Sequence, residues 1–432
     1  MNLLSPVARV VAWIGAGAIL MRSWGRETFP EAQGLTPAIP AAVPQRIPTL
    51  KMPTAHGWHD GKTPVAAPGL KVNAFAIGLD HPRQVLVLPN GDVLACEAMG
   101  SWEPPRSAFD IAMQATVRRA GALGASANRI SLLRDADGDG VAEIRETLLE
   151  GLNHPFGMAL VNDTLYVGHM DGVFAYPFKL GETKITAKGR RLSTYKPHGH
   201  WTRNLLVSPD QTKLYVSVGS LSNIADGGME AEEGRACIYE LDLKTEQSRV
   251  YASGLRNPVG MAWEPTLGQV WTVVNERDGI GDETPPDYLT SVKDGGFYGW
   301  PYSYWNQIVD DRVPQKPEMV AKSVQPDFAL GGHTASLGLC WLPAGTLPGY
   351  GEGMVIGQHG SWNRSVLSGY RMVFVPFANG KPSGPKQDVL TGFLSPDEKL
   401  SYGRPVGTAI ATDGAVLMCD DVGDVIWRVT GA

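Results

Sequence analysis

Two histidines stand two residues apart in His198-Gly199-His200-Trp201-Thr202-Arg203-Asn204, and on a strand both side chains would face the same way. A neutral imidazole near pH 7 can take a proton while hydride leaves the same carbon, which makes His200 a candidate general base. The same pair suits a metal ion, and a buried structural histidine is the third reading. A second chemistry is written in Asp135-Ala136-Asp137-Gly138-Asp139-Gly140, followed after five intervening residues by Glu146. That is the D-x-D-x-D-G-x5-E spacing of a calcium loop, with Asp135, Asp137, Asp139 and Glu146 as oxygen ligands. Its flanks read as strands rather than paired helices. The expectation is a structural calcium in a hairpin turn or, without metal, a solvated acidic turn.

The elements that would position these groups come from an internal repeat. A polar residue, often followed by Pro, opens an apolar strand, a turn and a second apolar strand ending in another polar residue. The copies begin at His81, His154, His200, Asn257, His333 and Arg404. Turns such as Asn90-Gly91 and Asp413-Gly414 are hairpin signals. Six copies imply an all-β fold, a six-bladed β-propeller over residues 69–432. The strand Leu70–Ala76 would complete the last blade after Val429 and close the ring.

Equivalent blades would gather His81, Arg83, His154, His200, Arg203, Arg256, Asn257, His333 and Arg404 at the channel mouth. A second ring, at the ends of the second strands, holds Glu97, Glu276 and Asp420 with His169 and His359. Basic and acidic rings together suit a small anion beside a metal cation.

Composition agrees with one ring of short elements. The 432 residues include 51 glycines and 32 prolines, about a fifth of the chain, and 43% are hydrophobic, enough for a large core and against disorder. A net charge of −6 offers no basic surface for nucleic acid. Cys96, Cys237, Cys340 and Cys419 lie far apart in apolar runs and read as buried free thiols, with one Cys96–Cys419 bridge as the alternative. Residues 10–21 are uncharged and apolar between Arg9 and Arg22. Segment 1–27 is therefore expected to be a signal peptide or membrane anchor. Residues 28–68, rich in Pro and Ala, are expected to form an extended tether. Export to the periplasm follows as the expectation.

From His81 to Val429 the chain resembles the pyrroloquinoline-quinone (PQQ) dependent glucose/sorbosone dehydrogenases, and within them the L-sorbosone dehydrogenase-like members. The resemblance is carried by Leu79-Asp80-His81-Pro82-Arg83, Leu152-Asn153-His154-Pro155-Phe156-Gly157, His200 through Asp210, Gly254-Leu255-Arg256-Asn257-Pro258, Gly295-Gly296-Phe297-Tyr298-Gly299-Trp300-Pro301 and Gly403-Arg404-Pro405-Val406. It implies a propeller that binds PQQ and Ca²⁺, with His200 as the base, Arg256 and Asn257 at the quinone oxygens and Arg404 on a PQQ carboxylate. It also implies Asn153 and His154 at the sugar, and a calcium ion held by the backbone carbonyls of Asp278 and Gly279. The sequence departs from the glucose enzymes where Ser220 and Gly199 replace acidic neighbours of the histidine, Val406 replaces an arginine, and Asp278-Gly279 replaces Gly-Pro. No lysine stands in the fifth-blade strand, where Arg364 is the candidate substitute.

The function expected is oxidation of a sugar or sugar aldehyde, of sorbosone or aldose type, with electrons passing to a respiratory quinone or cytochrome. Two alternatives stand beside it. A calcium-dependent sugar lactonase would use Glu97, Glu276 and Asp420 around one metal, and a non-catalytic propeller would bind a carbohydrate or protein.

Overall fold

Each sequence copy folds as an antiparallel sheet of four strands, and six such sheets surround one channel. The structure, a computed structural model, describes residues 32–45, 49–100, 102, 104, 105 and 107–432. The innermost strands of blades I to VI are Pro82–Val87, Met158–Val161, Leu205–Val207, Pro258–Glu264, Ser336–Leu342 and Pro405–Ile410. Blade VI takes its outer strand from the other end of the chain, Leu70–Ile77 pairing antiparallel with Val425–Gly431. The all-β, six-bladed expectation is met, including the closure of the ring.

The core lies between blades. Leu94, Leu132 and Leu148 of blade I pack, fully buried, on Met158, Leu165 and Val167 of blade II, and apolar burial of this kind is the main favourable term in folding. Near the channel the backbones approach so closely that only glycine fits. A Cβ at Gly338 would lie 2.0 Å from the Val406 carbonyl oxygen, and one at Gly357 2.1 Å from the same atom.

Blade I carries an insertion that no periodicity announced. Helix α1, Ala108–Arg119, lies between its second and third strands. The Ser107 hydroxyl accepts from the Asp110 amide at 3.1 Å, an N-cap, and Asp110 and the pair Arg118 and Arg119 complement the helix dipole at its two ends.

Residues 32–45 and 49–68 are not a free tether. Gln33–Gly34 adds an edge strand to blade IV, Val65–Ala66 adds one to blade V, and Thr54–Ala55 pairs with Leu400–Ser401. These backbone bonds hold the stretch across the propeller. The expected leader or anchor, residues 1–27, lies outside the described residues, and none of the described helices is long and apolar enough to cross a membrane. All four cysteines are free.

Candidate active site

At three blade entrances the backbone turns into the channel through a left-handed residue, His81, His154 and His333, with φ of 57°, 47° and 55°, a conformation uncommon outside glycine. Beside the His333 loop lies a cavity of about 520 Å³ whose polar wall includes His200, Arg256, Asn257, Glu276, His333, His359 and Arg404. Met52, Pro53, Trp102, Met113, Val117 and Trp362 form an apolar roof from the N-terminal stretch, α1 and a loop of blade V.

His200 is held by its Nδ1, 2.9 Å from the Ser220 carbonyl and 3.0 Å from the Ser220 hydroxyl. That hydroxyl donates onward to Ser222 O at 2.7 Å. A carbonyl can only accept, so Nδ1 carries the hydrogen and Nε2 keeps its lone pair for the cavity. Burial first, and Arg256 next, push the imidazole down to about 3. His200 is therefore neutral at every physiological pH and free to accept a proton, and an anion bound beside Arg256 would strengthen it as a base.

Arg256 lines the same wall, but its guanidinium is engaged: Nε and Nη2 donate to Asn223, and Nη1 to the carbonyls of Asn275 and Glu276. Its neighbour Asn257 is the opposite, 6% exposed with a buried Oδ1 that no donor meets. Arg404 is 8% exposed, and its Nε and Nη2 make no hydrogen bond. The carboxylate beside it is Asp421, whose Oδ1 lies 3.5 Å from Nε, and Arg83 shares that carboxylate. A buried guanidinium left this open is costly unless a ligand completes it.

Asp421 is the central residue that reasoning from sequence missed. Its buried carboxylate takes His359 Nε2 at 2.7 Å, His81 Nε2 at 3.2 Å and an Arg83 guanidinium nitrogen. Burial opposes ionisation, but these basic neighbours with Arg404 hold the carboxyl well below the usual range. The available signal was the doubled Asp420-Asp421, because a pleat sends adjacent side chains opposite ways. Asp420 goes into the blade, where the indoles of Trp58 and Trp427 donate to it at 2.7 and 3.0 Å.

Several site expectations are corrected. The acidic ring does not form: Glu97 is committed to Arg129 and Ser131 and Asp420 to the two indoles, leaving Glu276 in the cavity. Burial pushes the Glu276 carboxyl up to about 7, against Arg256, and its Oε1 has no donor. Of the two carbonyls expected to bind calcium, Asp278 O already accepts from Arg277 and Asn223, and Gly279 O accepts one bond, from the Gln45 amide. The Asp278 side chain instead pairs with His333 Nδ1 at 3.2 Å. Arg364 is no clamp, because its three nitrogens bond Val366, Asp282, Gly332 and Glu283. The basic side chains that blade V and its entrance bring to the cavity are His359 and His333.

Asn153 faces a different cavity, between blades I and II, and bonds Asp171 at 2.8 Å. His154 turns its Nδ1 to Asn153 Oδ1 at 3.1 Å and its ring edge-on to Trp201, away from the His200 cavity. In the acidic loop, Asp135, Asp137 and Asp139 do gather, their carboxylate oxygens within 4.8 Å, but the fourth member is Glu143. Glu146 is already in the strand, in register with Leu132.

Comparison with known proteins points the same way as the motifs. The TrAA12-like family profile matches residues 124–292. A pyrroloquinoline quinone-dependent sugar dehydrogenase of Hypocrea jecorina is 24% identical over 306 residues, 63% of this chain and 64% of that protein. Among solved structures, the iodide structure of the family AA12 carbohydrate-active enzyme of Trichoderma reesei superposes with a TM-score of 0.70 at 22% identity, covering 89% of this chain and 100% of that one. The holo form of the pyranose dehydrogenase PQQ domain from Coprinopsis cinerea gives 0.69 at 19% identity, over 88% of this chain and 100% of that domain. The structural likeness shows the fold. The sequence matches support the PQQ-dependent sugar dehydrogenase family and do not single out its sorbosone-oxidising members. The chain spans less than two thirds of the length of the PQQ-dependent relatives it matches.

Proposed function

We propose that this chain is a PQQ-dependent oxidoreductase that oxidises a sugar or sugar aldehyde, of aldose or sorbosone type. The observation that carries the reading is Arg404, a buried guanidinium with two unbonded nitrogens on the cavity that also receives the free Nε2 of His200. PQQ, when bound, supplies an electrophilic quinone that takes a hydride, and it brings three carboxylates. Arg404 would bind a carboxylate with its open nitrogens, and Asn257 would donate from its side-chain amide. His200, its hydrogen fixed on Nδ1 by Ser220, would take the hydroxyl proton of the sugar at Nε2. The apolar roof would exclude water from that proton transfer.

A calcium ion belongs to the proposal at the level of donors: Glu276 Oε1 and Asn257 Oδ1 are buried oxygens of the cavity without a partner. A second, structural calcium would sit among Asp135, Asp137, Asp139 and Glu143. We further propose that the enzyme is exported to the periplasm, is held there by segment 1–27, and delivers electrons to a respiratory quinone or cytochrome.

The test is direct. The full chain loaded with Ca²⁺ and PQQ should reduce an artificial dye with aldoses or sorbosone, and His200→Ala should lower kcat at least a hundredfold. Failure to bind PQQ by absorbance titration would overturn the cofactor. Binding of sugar undiminished in His200→Ala, with no turnover in either protein, would favour a non-catalytic propeller.

A further inference from the structure

The cavity between blades I and II, about 480 Å³ in volume, takes no part in the site above, yet it holds polar groups that the protein leaves unfinished. His169 is 4% exposed and stacks on Phe174 with ring centroids 4.3 Å apart. The Tyr176 hydroxyl lies 3.3 Å from its Nε2. The hydroxyl and Nε2 share one hydrogen bond, given by whichever of the two holds the hydrogen. Nδ1 has no hydrogen-bond partner among the described residues in either tautomer.

Asp171 lines the same cavity, held by Asn153 Nδ2 at 2.8 Å and Arg191 Nη2 at 2.5 Å. Burial works against its ionisation, but those two bonds outweigh it and keep the carboxylate charged. Lone pairs remain on both oxygens. At the rim Lys184 and Lys188 are exposed and have no ion-pair partner. One buried ring nitrogen, one fixed acceptor and two ammonium groups without an ion-pair partner among the described residues thus converge on one space.

We propose that this cavity is a second binding site, for a polyhydroxylated carboxylate such as a sugar acid. A hydroxyl group, which both donates and accepts, can pair with His169 Nδ1 in either tautomer and can donate to Asp171, and Lys184 and Lys188 meet the carboxylate. A neutral sugar leaves both ammonium groups unused. A bare phosphate sets its charge against Asp171. The assignment does not depend on the oxidation reading, because none of these residues lines the His200 cavity.

Isothermal titration of the full chain with gluconate, glucose and inorganic phosphate tests it. Gluconate should bind at least tenfold more tightly than either of the others. His169→Phe, which keeps the stack on Phe174, should weaken gluconate about tenfold, the loss of one hydrogen bond. Lys184→Met with Lys188→Met, on the exposed rim where folding is not at stake, should remove the preference for gluconate over glucose. Equal binding of glucose or of phosphate would overturn the ligand class. Gluconate binding undiminished in the double lysine variant, or absent from the unaltered chain, would overturn the site.

Discussion

Replacing Glu276 by Gln separates a carboxyl poised for a cation from one that merely fills space. In the folded chain burial lifts this group to about 7, whereas its ordinary value is 4.5. The folded state therefore holds the proton more tightly than the unfolded state. Stability is unaffected by this group below pH 4.5, falls as pH rises from there towards 7, and carries the full penalty above it. A gap of about 2.5 pH units at ~1.4 kcal/mol each amounts to roughly 3 kcal/mol. Glutamine has the same shape and no charge, and it can still present an oxygen to the Arg277 amide that Oε2 accepts from at 3.2 Å. Glu276→Gln should match the unaltered protein at pH 4.5 and exceed it by up to about 3 kcal/mol at pH 8.5. Urea unfolding at both pH values, compared through midpoints at equal slope, reads the difference. Saturating calcium at pH 8.5 should stabilise the unaltered protein more than the variant, which keeps the acidic loop but lacks the Glu276 carboxylate. Parallel stability curves for the two proteins across this range would refute the reasoning, because they would mean that Glu276 is ionised in the fold as readily as outside it.

Arg404→Met should weaken PQQ by roughly 10- to 100-fold, the worth of one charge-assisted hydrogen bond, while the melting temperature without PQQ stays level or rises. A melting temperature several degrees lower would make Arg404 a structural partner of Asp421 instead. Gly338→Ala should lower the urea midpoint by the equivalent of at least about 1–3 kcal/mol, since its Cβ would strike the Val406 carbonyl; an unchanged midpoint would deny the close contact of blades V and VI. Calcium should raise the melting temperature of the unaltered chain, and Asp135→Asn with Asp139→Asn should remove most of that rise. No rise in either protein would leave the loop a solvated turn.

The blades were legible because a hairpin repeat leaves two periodicities at once, alternation along the strand and recurrence around the ring, and because glycines and prolines punctuate both. His200 was legible for the same reason, since it occupies a blade entrance. What escaped depended on which way a side chain turns after its strand ends. Asp420 looked like the channel carboxylate and Asp421 is, one residue and one pleat apart. His154 shares the entrance position of His81 and Asn257, yet it pairs with its neighbour Asn153, which turns outward to Asp171. Arg364 has the right charge, but its hydrogens are taken by carbonyls 32 and 82 residues away in sequence, which no local pattern reveals. The docking of residues 32–68 was hidden by composition, because a Pro-rich stretch reads the same free in solution as laid along a sheet edge.

Blade VI is built from the two ends of the described chain, and this sets the order in which the protein can become functional. Leu70–Ile77 is made early and has no partner until Val425–Gly431 has been synthesised. Until then Leu70–Ile77 is an unpaired strand, the kind of edge through which β proteins pair wrongly. Arg83 and Arg404, which flank Asp421 in the finished channel, come together when that last pairing forms. Assembly of the candidate site thus waits on that pairing, and PQQ uptake by a refolding chain would time the closing of the ring.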